Sequence, residues 1–373
     1  MCFFRYLAIS GAILALAVSP PASARPSGQP QLQRALAEAH AASGAPAMAV
    51  ALIRAKSIEV AYAGRRRIHV PERVERTDRF HIGSDAKSML AVLIAQQVDA
   101  GRLRWDSTLE ELLPDVTVTG KGVYRRVTIA DLLRHRGGLI QLEQLSDLIA
   151  VPPLNGDIGR QRLQFATWAL QQEPVALPNT QTLYSNAGYV IAAAILERVT
   201  GQRYEQVLQR QLLAPLGIEA HFGWPALLRR NEEPWGHALM GNQLVAVDPR
   251  NPESQIPAWA NPAGNLNLNI DEFARYVQWH LRAAEGLPVR LSEQSVAMLH
   301  TPVDGYAMGW AEAGTGSTRI SFHVGGSDLF HAYMVMVPGF DAAAIVLANA
   351  DNERVATAAA TLASQVINAA VQQ

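Results

Sequence analysis

Short β-type runs stand at both ends of this chain, and a long, mainly helical stretch stands between them. Ala47 to Ile53 and Ser57 to Tyr62 read as two strands joined by a short polar turn. Far downstream, Tyr306 to Ala311, Arg319 to His323, Ala332 to Val337 and Ala343 to Ala348 are again strand-like, separated by Gly, Pro or Asp turns. Such runs need partners, so the pattern predicts one sheet built from both termini, with a helical domain inserted into it. Gln31 to Ser43, ended by Gly44 and Pro46, and the Ala-rich Asn352 to Val371 are the helices expected beside that sheet. The helices expected in between are Thr128 to Arg134, Leu163 to Gln171, Ala187 to Thr200, Gln202 to Leu213 and Ile270 to Ala283. The α/β part would comprise about 31–82 and 285–373, and the helical part about 83–284.

With 373 residues the chain can bury a large core. Hydrophobic residues make up 49% and charged residues 17%, which places it among soluble globular proteins rather than disordered ones. Net charge is −1, which gives no electrostatic case for nucleic acid; Arg65-Arg66-Arg67 and Arg125-Arg126 are local clusters. The N-terminus has the parts of a secretory signal: Arg5 as basic region, Tyr6 to Val18 as an apolar stretch too short to span a membrane, and Ala22-Ser23-Ala24 before the cleavage point. Residues 1–24 are therefore expected to be removed and the mature chain to be periplasmic or secreted, with no stable membrane insertion. The sole cysteine, Cys2, would leave with that segment, so no disulfide or thiol chemistry is expected.

Of the 32 basic residues only Lys56, Lys87 and Lys121 are lysines. Arg stays charged in proteins, whereas a buried Lys can lose its proton and act as a base. Lys87 follows Ser84 by three residues in His81-Ile82-Gly83-Ser84-Asp85-Ala86-Lys87, a spacing that puts both side chains on one helix face. A serine hydroxyl is a poor nucleophile until a neighbour accepts its proton, and a desolvated amine can do that. At a helix start, free backbone N–H groups and the helix dipole favour developing negative charge. Met89, Leu90, Leu93, Ile94 and Val98 continue the helix to Gly101.

Two further constellations fit this chemistry. Tyr184-Ser185-Asn186 precedes a helix; a tyrosine there can share proton traffic with Lys87, and Asn186 can bind a substrate amide or hold the lysine. His323-Val324-Gly325-Gly326 ends a strand, where paired glycines let a substrate backbone approach and an exposed N–H can join that of Ser84 in an oxyanion hole. No Gly-x-Ser-x-Gly elbow and no His-Glu-x-x-His helix occurs, so α/β-hydrolase and zincin schemes lack support. His135, His237 and His331 lack ligand spacing, and Trp224, Trp235 and Trp310 fit core packing; all are expected to be structural.

Taken together, Ser-x-x-Lys, Tyr-x-Asn and a glycine-ended strand motif resemble the penicillin-recognising serine hydrolases, in particular the class C β-lactamase branch with its D,D-peptidase and esterase relatives. Phe80 to Ser84, Thr128 to His135 with Gly138-Leu139, Pro215 to Ile218 and Tyr306 to Trp310 also look like that branch. The resemblance runs from about Leu36 to the C-terminal helix. It implies an α+β fold, an antiparallel sheet flanked by helices with an inserted all-helical domain. It also implies Ser84 as acylated nucleophile, Lys87 as its proton partner, Tyr184 as second acid/base group and Asn186 as the residue positioning substrate and lysine. The N–H groups of Ser84 and Gly326 would form the oxyanion hole, and His323 and Gly325 would line the substrate site. No metal or organic cofactor is implied; the partner is a small-molecule or short-peptide substrate, either an ester, a D-amino-acid peptide or a β-lactam.

The third motif departs from its class C form. His323 replaces lysine and Val324 replaces threonine, so two groups that engage a β-lactam carboxylate are missing. That tilts the expectation toward an esterase or D-peptidase rather than an efficient β-lactamase; the alternatives are a true class C-type β-lactamase and a penicillin-binding sensor or binding module that is acylated without turnover.

Overall fold

A computed structural model describes residues 29–372, apart from 220, 228, 230 and 231. The expected signal segment, 1–24, lies outside the described residues. Eleven strands follow in chain order: β1 (Ala47–Ile53), β2 (Ile58–Gly64), β3 (Arg79–His81), β4 (His221–Phe222), β5 (His237–Met240), β6 (Gln243–Ala246), β7 (Leu266–Asn269), β8 (Ala311–Ala313), β9 (Ile320–Gly326), β10 (His331–Val337) and β11 (Ala342–Ala348). The six-stranded antiparallel sheet has the order β2-β1-β11-β10-β9-β8. It joins both ends of the chain, as expected: β1 pairs with β11 in a register that sets Val50 opposite Val346.

Why these strands read as unbroken apolar runs is clear from their two faces. Ala47, Ala49, Ala51 and Ile53 of β1 belong to one core, with Ala343, Ile345 and Leu347 of β11 and Met334 and Met336 of β10. The alternate residues Met48, Val50, Ala344, Val346 and Val335 belong to a second core. Helices α1 (Gln29–Ser43) and α6 (Glu353–Val371) cover the second face with Leu32, Leu36, Leu362 and Ile367. Side chains alternate across a strand, so where both faces are covered, as in β1 and β11, successive residues are all apolar.

The other face carries α2 (Lys87–Asp99) and α5 (Ile270–Ala284). Met89 to Ala95 of α2 are all buried, so this helix is apolar around its whole circumference and lies at the centre of the molecule. Further helices are α3 (Ile158–Ala169) and α4 (Asn186–Thr200), the latter ended by Gly201 in the left-handed region at φ 66°.

The stretch 101–284 differs in detail from its mainly helical reading. It contains β4 to β7; β7 pairs with β3 and β4 in a small second sheet, and β5 and β6 form a hairpin. These strands have two to four residues each and show no alternation long enough to register as a pattern. The expected helix Gln202 to Leu213 is one α-helical turn, Tyr204–Val207, followed by a wider π-type segment, Leu208–Leu213. Of the expected strand Tyr306 to Ala311, only Ala311 belongs to a strand, while Tyr306 makes single bridges to Val303 and Ala311.

Candidate active site

Ser84 lies in a 3-10 turn, Gly83–Ala86, that β3 feeds and that runs directly into α2. Side chains three apart eclipse in such a turn, which stacks Lys87 over Ser84. Lys87 Nζ is 2.9 Å from Ser84 Oγ. It donates to Asn186 Oδ1 at 2.6 Å and to the carbonyl of Ala263. The side chain is wholly buried, whereas Lys56 is exposed and Lys121 pairs with Glu173 near the surface. Burial holds the Lys87 amine well below its ordinary value, against the pull of Glu143 and Asp85. A neutral amine has two N–H groups and one lone pair. In that form, with the N–H groups given to the Asn186 and Ala263 oxygens, the lone pair would face Ser84 Oγ.

Both acceptors are firmly placed. Asn186 opens α4, its Nδ2 donates to Leu142 O at 3.1 Å, and the Ser185 side chain caps the helix by accepting from Gly188 N at 3.2 Å. Asn186 therefore has both polar ends turned to protein groups. The Ala263 carbonyl sits in a segment held from outside. Buried Arg162 on α3 pairs with Glu197 and Glu205 and donates to Trp259 O at 3.0 Å, and Asn261 Nδ2 reaches Glu205 Oε1 at 2.9 Å.

The Tyr184 hydroxyl faces Ser84, whose side chain offsets part of the effect of burial on the phenol, and its ring centroid stands 4.9 Å from Lys87 Nζ. Burial pushes its phenol well above the ordinary value, so at neutral pH it is a proton donor. His135, expected to be structural, packs on the Tyr184 ring at 4.2 Å and accepts from Ser185 N at 3.0 Å, which fixes the approach of the second motif.

The third motif closes on the nucleophile turn from β9. His323 is buried, with Nδ1 3.1 Å from Asp85 Oδ1 and Nε2 3.2 Å from Tyr306 Oη. Expected to face substrate, it has both ring nitrogens turned to protein groups. Two glycines permit the close approach. A Cβ on Gly83, whose φ is 51°, would lie 2.8 Å from Gly325 C and 3.1 Å from Gly326 N; one on Gly325 would collide with the carbonyl of Ile82. The Gly326 N–H is thus brought beside the turn that holds Ser84. Gly325→Ala must push β9 off that turn, at an overpacking cost of about 1–3 kcal/mol. The displacement should lower kcat/KM roughly 10²-fold. Urea unfolding and an ester assay measure the two effects, and a near-normal rate would remove this contact from the site.

Sequence reasoning did not anticipate the roles of Asp85, Tyr306 or the Ala263 carbonyl. Trp224 and Trp310 are core residues as expected, Trp224 stacking on Phe330 at 5.9 Å. Among the described residues no group of three or more His, Cys, Asp or Glu side chains is arranged to hold a metal ion.

The chain is similar to known proteins in sequence and in fold. The Beta-lactamase family model matches residues 32–367. The chain belongs to the Beta-lactamase family. Its relatives there include Penicillin-binding protein 4 of Amycolatopsis lactamdurans, 29% identical over 284 residues, which cover 72% of each chain. Protein flp of Staphylococcus aureus is 22% identical over 298 residues, 78% of this chain but 57% of flp, so the chain spans little more than half of that relative. Among solved structures, that of SurE matches with a TM-score of 0.72 at 22% identity, covering 90% of this chain and 73% of the other. The octameric penicillin-binding protein homologue from Pyrococcus abyssi also matches at 0.72, with 21% identity over 89% and 75% of the two chains. Members of the family are serine hydrolases, and the fold is the β-lactamase/D,D-peptidase fold that the motif order implied.

Proposed function

We propose that the protein hydrolyses esters or D-amino-acid peptides through an acyl-enzyme on Ser84, in preference to β-lactams. The observation that carries this reading is the wholly buried Lys87 amine, held well below its ordinary value by that burial, 2.9 Å from Ser84 Oγ and hydrogen-bonded to two carbonyl oxygens. As Oγ attacks the substrate carbonyl, its proton passes to Nζ. The N–H groups of Ser84 and Gly326 hold the oxyanion, and the Tyr184 phenol protonates the leaving group. Lys87 passes its extra proton to the Tyr184 phenolate; water then attacks the acyl ester, gives a proton to the same pair, and Ser84 Oγ recovers one as the acid leaves.

Substrate preference follows from charge. Burial pushes the His323 imidazole down to about 3, so no cation stands where class C enzymes carry lysine. Val324 adds no hydroxyl. A hydrogen bond to a charged group contributes about 1.5–3 kcal/mol, so losing it costs a β-lactam carboxylate at least tenfold in kcat/KM. The SurE fold relative has been crystallised with D-Leu, which agrees with D-amino-acid chemistry here. We further infer export, on the strength of Arg5, the apolar Tyr6 to Val18 and Ala22-Ser23-Ala24.

The mature protein is incubated separately with a short-chain nitrophenyl ester, a D-alanyl peptide, a penicillin and a chromogenic cephalosporin, with product release and intact mass followed. The expected outcome is turnover of ester or peptide, with the cephalosporin slower by about tenfold or more. Faster release from the cephalosporin would make the protein a β-lactamase. A penicillin adduct that persists without release would make it a penicillin-binding sensor.

A further inference from the structure

Arg162 touches none of the reacting groups, yet its guanidinium is wholly buried. Taking such a charge out of water is costly, and apolar side chains of similar volume often do as well for stability as a buried ion pair or triad. The planar fork does something an apolar group cannot: it binds several fixed oxygens at once. Arg162 pairs with Glu197 and Glu205, and donates from Nε to Trp259 O at 3.0 Å and from Nη2 to Ala258 O at 3.2 Å.

These partners lie on two separate walls. Glu197 belongs to α4, the helix that Asn186 opens. Eleven positions are about three helical turns, so Glu197 and Asn186 share one face of α4. Trp259 and Ala258 begin the segment that carries Ala263. Glu205 reinforces the same segment by accepting from Asn261 Nδ2 at 2.9 Å, and Asn261 Oδ1 accepts from Asn265 Nδ2 at 2.9 Å. Asn186 Oδ1 and Ala263 O are the two oxygens that grip Lys87 Nζ. The segment also backs the nucleophile: a Cβ on Gly264, whose φ is 150°, would lie 2.8 Å from Gly83 C and 2.9 Å from Ser84 N. The turn that holds Ser84 is thus pressed between Gly264 on one side and Gly325 on the other.

We propose that Arg162 is a positioning residue for the general base: by tying α4 to the 258–264 segment, it sets the gap between the two oxygens that hold Lys87 against Ser84. A buried cation far from the substrate thereby fixes where the amine stands. Loosening either wall lets the amine turn from Ser84 Oγ while substrate binding is left alone.

The inference rests on the proposed base role of Lys87, but its first test needs no turnover. The lysines are Lys56, Lys87 and Lys121, so protein labelled with 13C at lysine Cε gives three signals, and that of Lys87 is the one missing from Lys87→Met. In Arg162→Gln the Lys87 signal should move at neutral pH while the other two stay. The second test is kinetic. With acylatable sites counted by intact mass, kcat per site for the ester should fall roughly 10²-fold with KM within about twofold. Arg162→Lys keeps a cation between the glutamates but not the fork that reaches both walls; it should change both readings in the same direction, and stands in should Arg162→Gln not fold. An unmoved Lys87 signal, or a normal kcat per site in a variant that has only lost stability, would overturn the proposal. Failure of both variants to fold would overturn it as well, making Arg162 a residue of the core alone. So would the same changes in Arg198→Gln, which breaks a surface pair with Asp115 on the same helix and should behave as wild type. A Lys87 signal that moves as expected in a protein that hydrolyses nothing would leave the positioning standing and overturn the proposed function instead.

Discussion

Replacing Ser84 by alanine is expected to lower ester hydrolysis by roughly 10³-fold or more, because the acyl-enzyme route is lost and its partners cannot act alone. The change is small in volume. Ser84 Oγ meets Lys87 and Tyr184, but the turn itself is held by Gly83 against β9 and by the backbone of α2, so the fold should be retained. Intact mass after exposure to a slow acylating ester should show an adduct on the wild type and none on the variant. Activity that survives Ser84→Ala would show that the reaction does not pass through this serine.

Lys87→Met should separate activity from stability. Loss of a general base typically costs 10²- to 10⁴-fold, and methionine offers no replacement. The same substitution should stabilise the fold. Lys87 is wholly buried, and its amine is held well below its ordinary value of 10.5. Between the folded and unfolded values, the unfolded chain binds a proton that the folded chain does not. Stability carried by this group therefore rises with pH across that window and is lowest on its acid side. Methionine removes the linkage, and exchange of a buried ionisable group for an apolar one of similar volume can add about 1–4 kcal/mol. Urea midpoints should favour the variant near neutral pH, with the gap closing toward pH 10.5. A variant less stable than wild type would mean that Lys87 is buried as an ammonium. The same sign governs catalysis: kcat/KM of the wild type should rise with pH through the depressed Lys87 value.

Much of this site was legible because the chemistry repeats at fixed spacings. Ser84 and Lys87 meet because three residues span one turn, and Tyr184 and Asn186 flank a helix start that aims both at the lysine. The sheet was legible because strands covered on both faces become continuous apolar runs. Ala263 was not, since it contributes a backbone carbonyl, which its residue type does not announce. Asp85 was not singled out in the sequence; only its contact with His323, 238 positions away, ties it to the third motif. Strands β4 to β7 escaped because two to four residues cannot establish a period.

The pairing of β1 with β11 also bears on how the chain reaches its fold. Synthesis delivers Ala342–Ala348 only long after Ala47–Ile53. Until then β1 has only β2 beside it, and its other edge is an apolar strand with unpaired amides. Contacts of such long sequence separation form slowly, because most of the chain must be gathered before they stabilise anything. Completion of the sheet therefore waits for the last strand, and any ribosomal product that stops short of Ala342 carries an open, adhesive edge.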